Sequence, residues 1–174
     1  MSELLLTPLT QWHKENGAKT APFAGWEMPI QYSGIIDEHK HTRENASLFD
    51  ICHMGEFLVS GSGAMDGLAA ILTQNFSTLA VGKCRYGFLL TEQGTIIDDL
   101  IVYRLEEEKF MLVVNGARVE EDFATLKQHL PSTITLEDVS QATAKIDLQG
   151  PKSIDVLEDT FEKSFRDLGY FSFR

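Results

Sequence analysis

Residues 84–115 constrain this chain most. CRYGFLLT, the turn residues EQG, TIIDDLIVYR, the acidic turn LEEEK and FMLVVN are runs of branched and aromatic residues separated by turn-forming stretches. That pattern predicts an antiparallel meander. Inside the middle run, Asp98 and Asp99 interrupt a series of Ile, Leu, Val and Tyr. Asp is depleted in strands and successive strand residues point to opposite faces, so the two acids have different environments and one of them is expected to face inward. A carboxylate facing an apolar interior needs a donor or a raised pKa, because leaving it bare costs several kcal/mol. Such groups concentrate in functional sites. The blander reading, both acids at an exposed edge, stays open on the residues alone. Asn115, ending the next strand, either lines the same pocket or opens the following helix at Gly116.

The flanks complete the class. Thr7-Pro8 before LTQWHKEN, with Gly17 after it, predicts a short helix with a Thr cap, a first-turn Pro and a Gly exit. PFAGWEMPIQY has Gly, Pro and aromatic residues without a clean period and reads as a loop suited to lining a site. A second helix is expected from Ser33-Gly34 through IIDEHKHTRENAS, with Ile35, Ile36 and His39 near one face. LFDICHMGEFLVSG reads as strand, and SGAMDGLAAILTQN as a helix capped by Ser62 with Met65, Leu68, Ala69 and Leu72 at helical spacing. ARVEEDFATLKQHL predicts an amphipathic helix with Val119, Phe123 and Leu126 inward. TITLEDVS and TAKIDLQG add two strands, and GPKSIDVLEDT a helix with Pro151 in its first turn. Strand runs with helices between hairpins specify the α+β class, antiparallel sheets with flanking helices in two related lobes. The expected divisions are residues 1–50, opening the first lobe; 51–140, a second lobe holding the meander; and 141–174, a return to the first. The chain halts in GYFSFR, an apolar aromatic segment where a strand needs a partner, so either it is a fragment of a longer protein, the favoured reading, or it closes on itself economically.

Composition narrows the partners. With 174 residues, 43% of them hydrophobic, the chain can bury one substantial core or two small ones. A formal charge of -11, from 15 Lys and Arg against 26 Asp and Glu, repels a phosphate backbone, and no basic patch offsets it. Nucleic acid is therefore not an expected partner. No apolar run is long enough to span a bilayer, and MSELLLTPLTQWHKENG shows neither a basic leader nor a cleavage site, so a cytoplasmic protein is expected. Cys52 and Cys84 fit reduced, unpaired thiols. His39 and His41 lie two apart on a helix, the wrong spacing for a shared ligand face, and read as solvated. His53 is either a general base or a hydrogen-bonded structural residue. Gly61-Ser62-Gly63 lacks the rest of a dinucleotide fingerprint.

Taken in order, TPL, PFAGWEMPIQY, EHKHTRENASLFDICHMGEF, GKCRYGFLLTEQGTIIDDLIVYR, FMLVVN, LQGPKS and GYFSFR resemble the aminomethyltransferase family, the T-protein of the glycine cleavage system, over its N-terminal half. That resemblance implies a folate-binding domain, with the family's C-terminal barrel absent. It implies transfer of a methylene unit from the aminomethyl-lipoyl arm of the H-protein to tetrahydrofolate, releasing ammonia and methylenetetrahydrofolate, with no metal. Asp99 takes the place of the family's catalytic carboxylate and is expected to be the acid held out of water, beside a cleft for a flat heteroaromatic cofactor, and Met54, Leu58, Tyr86, Asn115 and Tyr170 fall where the family lines its folate pocket. Asp98 then faces the other way as a structural hydrogen-bonder. The implied partners are the lipoylated H-protein, tetrahydrofolate and the missing C-terminal half of the same chain, without which the fragment is expected to be inactive. The family commonly has Ser where Cys52 stands, Gly at Ser47, and Ala-Ala-Asn where this chain has Gly116-Ala117-Arg118. The alternative is a non-catalytic folate-binding relative acting as a binding or iron-sulfur maintenance module.

Overall fold

The computed structural model describes residues 3–174; Met1 and Ser2, part of the start read as leaderless, lie outside the described residues. The elements in order are β1 (Leu5–Leu6), α1 (Thr10–Glu15), β2 (Lys19–Phe23), β3 (Trp26–Gln31), α2 (Ile35–Glu44), β4 (Ser47–Asp50), β5 (Gly55–Ser60), α3 (Ala64–Ile71), β6 (Cys84–Leu90), β7 (Ile96–Glu106), β8 (Lys109–Val114), α4 (Val119–His129), β9 (Thr135–Asp138), β10 (Ile146–Gln149) and α5 (Ser153–Phe161). The class is α+β, with antiparallel sheets and flanking helices. Two compact units form, the described residues up to His53 with Ala144–Leu168, and Met54–Thr143 with Gly169–Arg174. The last six residues thus join the unit that holds the meander. The Phe171 carbonyl accepts from the Cys84 N–H, the Phe173 N–H donates to Gly82, and Ser172 bridges Lys83. The closing aromatic segment has its strand partner at the entrance to β6.

In the first unit β3 lies between parallel β1 and antiparallel β2, and β4 pairs with β10 from Ser47↔Gln149 to Asp50↔Ile146. PFAGWEMPIQY is therefore a hairpin rather than a loop. Ala24 and Gly25 at its tip have φ of 51° and 85°, the double left-handed turn whose twist suits adjoining strands. Pro29 is tolerated because β1 reaches only Trp26 and Glu27, so the position has no second neighbour to supply with an N–H. Residues 7–9 do not join α1. Leu9 stands at its cap without a side-chain bond, because the Thr7 hydroxyl is engaged with Asp50. Ile35 and Ile36, expected on an apolar face, are 60% and 69% exposed.

The second unit is a five-stranded antiparallel sheet in the order β6-β7-β8-β5-β9. The meander is as its spacing predicts. One face carries Phe57, Val59, Leu89, Leu100, Val102, Phe110, Leu112 and Val114, all buried and packed with Leu68 of α3 and Leu126 of α4. LFDICHMGEFLVSG divides between the units as β4 and β5, separated where the Cys52 N–H turns back to the Asp50 carboxylate. Gly63, left-handed at φ 86°, occupies the cap position of α3 in place of the expected Ser62, and Ala69 is exposed rather than inward.

Candidate functional site

Alternation along β7 decides between the two carboxylates. Asp98, Leu100 and Val102 face the core, and Asp98 is 6% exposed. Asp99, one step on, lies on the opposite face and is half-buried. The acid held out of water is therefore Asp98, a correction to the expectation that Asp99 would be the inward one. Pairing of Phe88 with Asp99, Tyr86 with Ile101, Ile101 with Val113, Tyr103 with Met111 and Met111 with Leu58 puts Tyr86, Phe88 and Leu58 on the same face as Asp99.

Asn115 joins the two faces. Continuing the Ile101↔Val113 register by two residues sets it opposite Asp99. Its main-chain N–H donates to Asp98 Oδ2 at 3.0 Å, and its Nδ2 reaches Asp98 Oδ1 at 2.9 Å, the Asp99 carbonyl at 3.0 Å and Asp99 Oδ1 at 3.1 Å. All three neighbours of Nδ2 are acceptors, which fixes the orientation of the amide. Asn115 thus holds Asp99 and also precedes the turn into α4.

Asp122 was not anticipated. It is fully buried in the first turn of α4, three residues after Val119 and four before Leu126, so the helical period already set it on the inward face. Burial first, then the nearness of Asp98 and Glu121, push its carboxyl up to about 8. Arg118 opposes this only weakly. Among the described residues neither Asp122 carboxyl oxygen has a hydrogen-bond partner, so nothing offsets the cost of burying its charge and the neutral form is favoured.

Tyr86 is 47% exposed. Partial burial, its hydrogen bond to Asp99 and the charge of both aspartates hold its hydroxyl above the usual phenol range, so it acts as a donor and an aromatic surface. Tyr170, 91% exposed, borders with Tyr86 a shallow hollow of about 490 Å³ that also takes in Cys84, Arg85 and Phe171. Leu58 and Met54 are half-buried, Leu58 on the Asp99 face and Met54 immediately before β5. All six expected site residues lie in the second unit. The lining of that hollow does not include Asp99, Asn115, Leu58 or Met54.

A second polar cluster lies in the first unit. The Asp50 side chain is wholly removed from water and His13 nearly so. His13 Nε2 is 2.9 Å from Asp50 Oδ2 and Nδ1 is 2.5 Å from the Tyr32 hydroxyl, while the Thr7 hydroxyl donates to Asp50 Oδ2 at 2.6 Å. One tautomer satisfies the series: Tyr32 O–H to Nδ1, Nε2–H to Asp50. Burial alone raises the Asp50 carboxyl, but bonds from Thr7, Cys52 and His13 outweigh it and hold it below the usual range. Burial raises the Tyr32 hydroxyl, so it is no nucleophile. The cluster borders a cleft of about 810 Å³ lined also by Ile30, Leu48 and Phe49. His39 and His41 are exposed, as their spacing implies. His53 packs edge-on against Phe23, its pKa lowered by burial. Cys52 is buried with its sulfur against the main chain of Lys145, and burial raises the Cys84 thiol. Among the described residues no helix is long and apolar enough to cross a membrane, and no three His, Cys, Asp or Glu side chains are grouped to hold a metal ion.

The family model for the GCVT N-terminal domain matches residues 9–174. An aminomethyltransferase of Shouchella clausii is 40% identical over 99% of this chain and 47% of its own length. One from Chloroherpeton thalassium is 44% identical over 96% of this chain and 46% of its own. The crystal structure of the glycine cleavage system aminomethyltransferase T from Bartonella henselae superposes with a TM-score of 0.92 at 37% identity, covering 98% of this chain and 47% of that one. The chain spans about half the length of the curated relatives it matches.

Proposed function

We propose that this chain, which belongs to the GCVT N-terminal domain family, supplies the folate-binding and charge-stabilising half of an aminomethyltransferase. The whole protein moves a methylene unit from the aminomethyl-lipoyl arm of a carrier protein to tetrahydrofolate. The carbon-sulfur bond breaks, ammonia leaves, and the lipoyl thiol is freed. Tetrahydrofolate supplies the nitrogens that receive the carbon. The observation that carries this reading is the partly open Asp99 carboxylate clamped by Asn115 beside Tyr86.

Cleavage of the aminomethyl arm builds positive charge on its carbon and nitrogen. A fixed anion next to that charge lowers the barrier without having to reorient during the step. The two Asn115 bonds fix the Asp99 main chain and one carboxylate oxygen, leaving the other oxygen to face ligand N–H groups or the developing cation. Tyr86 and Tyr170 give ring surfaces for the pterin and aminobenzoate, and orientation of the two reactants supplies much of the remaining acceleration. The partners proposed are tetrahydrofolate, a lipoylated H-protein and the rest of the polypeptide, in the cytoplasm.

Calorimetric titration of the full-length protein with tetrahydrofolate tests the reading. Binding that weakens about tenfold or more in Asp99→Asn, the worth of one charge-assisted hydrogen bond, supports it. A full-length protein that binds no folate removes it.

A further inference from the structure

We propose that the apolar cleft of the first unit, between β3, α2 and β4, is the seat of a further segment of the same polypeptide, which covers Ile30, Leu48 and Phe49. The inference rests on the proposed function only in taking this chain to be half of a longer protein.

Among the described residues the first unit buries only two hydrophobic side chains, Met28 and Cys52, and every member of the continuous apolar core belongs to the second unit. Yet the first unit is not short of apolar residues. Leu48 is 68% exposed, Phe49 43% and Ile30 50%, and all three line the cleft of about 810 Å³. Leu48 and Phe49 are neighbours in β4 and so point to opposite faces of its ribbon. A strand apolar on both faces belongs in the middle of a covered sheet. β4 instead has β10 as its one strand partner among the described residues, and β10 has only β4. A two-stranded ribbon with open edges and open apolar faces is marginal in water and invites more polypeptide against it.

The chemistry of the cleft and the length of the relatives point to the occupant. The buried polar floor is closed on itself: the Asp50 carboxylate accepts from the Thr7 hydroxyl, His13 Nε2–H and the Cys52 N–H, and the Tyr32 hydroxyl donates to His13 Nδ1. The floor therefore presents no unengaged charge to anchor a small ionic ligand, while the walls present apolar area of the kind that marks a protein contact. The Shouchella clausii and Chloroherpeton thalassium relatives are matched over 47% and 46% of their own lengths, so each carries as much polypeptide again beyond the matched part. The Bartonella henselae structure holds the same fold at a TM-score of 0.92 over 47% of its chain, so this half keeps its shape in a protein about twice as long. A segment tethered to the cleft meets it at an effective concentration on the order of mM, an advantage that a second copy of the chain lacks.

The test is hydroxyl-radical footprinting of the full-length protein without folate, read by mass spectrometry at Leu48 and Ile36. The two side chains are equally open in this chain, at 68% and 69%, and of the two only Leu48 lines the cleft. Ile36 is therefore the internal standard. Leu48 is expected to be modified several-fold more slowly than Ile36 in the full-length monomer. Leu48→Glu is expected to lower the unfolding temperature of the full-length protein by several degrees, because a carboxylate is costly under a cover, while Ile36→Glu leaves it unchanged. Protection of Leu48 in a protein that binds no folate leaves this inference standing and removes only the proposed function. Equal modification of Leu48 and Ile36, or equal tolerance of the two Glu variants, overturns it. Protection of Leu48 that appears only in a dimer, or only when folate or the lipoyl carrier is added, also overturns it, since the occupant is then a second copy or a ligand.

Discussion

Asn115 holds Asp99 at two points with one nitrogen, the carbonyl at 3.0 Å and the carboxylate at 3.1 Å. The same nitrogen reaches across the strand to Asp98 at 2.9 Å. A single amide thus ties the partly open acid to the buried one, and the properties of the site follow from that tie.

Asn115→Ala removes every bond made by Nδ2 and leaves Asp98 with the main-chain N–H of residue 115. A buried carboxylate stripped of a donor costs about 2 kcal/mol or more. Urea unfolding is expected to show a loss of that size, and folate affinity to fall with it. Asn115→Asp, which adds a third carboxylate, is expected to be worse at neutral pH than Asn115→Ala.

Stability is expected to decline with rising pH across the range where Asp122 is protonated in the folded state and ionised in the unfolded one. Its folded pKa is raised, to about 8, so the folded chain binds the extra proton. The contribution is complete below the ordinary carboxylate range near about pH 4 and is lost as pH rises toward the folded value, with a slope of at most about 1.4 kcal/mol per pH unit. Thermal unfolding of Asp122→Asn over the same range should lack that slope.

Asp50 behaves in the opposite sense. Its folded carboxyl lies below the usual range, so its stabilisation is present above the unfolded value and is lost as acid drives pH down through the folded one. Asp50→Ala strands His13, Thr7 and the Cys52 N–H without their acceptor, and a loss of about 3 kcal/mol is expected. Tyr32→Phe leaves the His13–Asp50 bond in place and is expected to cost about 1 kcal/mol. Equal losses in the two variants, measured by urea unfolding, contradict this ranking.

Gly150, at φ 122°, follows β10 directly against the main chain at Asn45 and Thr42. A side chain here meets the carbonyl oxygens of both, and no flexible group can yield. Gly150→Ala is expected to destabilise the first unit by about 3 kcal/mol or more, from strain and overlap together, read as a fall in its unfolding midpoint.

The meander was legible because its signal is local: three β-rich runs with turn residues between them, and an alternation that put Asp98 and Asp99 on opposite faces. Which of the two turned inward was not legible. Alternation gives opposition without sign, and only packing against α3 and α4 supplies it. Asp122 carried a helical-period signal beside Val119 and Leu126, but the prior that Asp lies outside masked it. The hairpin over PFAGWEMPIQY was hidden by its prolines, acceptable because Pro22 lies in the edge strand β2 and β1 is too short to reach Pro29 in β3. His13 and Asp50 lie 37 residues apart in sequence, and their pairing has no local trace. Division of LFDICHMGEFLVSG between two units likewise depends on which partner each half finds, β10 for one and β8 for the other.

The account turns on the Asp99 carboxylate acting on charge that develops during transfer. The direct measurement is tetrahydrofolate-dependent release of ammonia from an aminomethyl-loaded lipoyl carrier by the full-length protein, comparing wild type with Asp99→Asn at saturating folate. A fall in kcat of about 10² to 10³, the scale for loss of one preorganised electrostatic group, is predicted, with unfolding stability unchanged because the side chain is only half-buried. Ammonia release by Asp99→Asn at the wild-type rate contradicts the account.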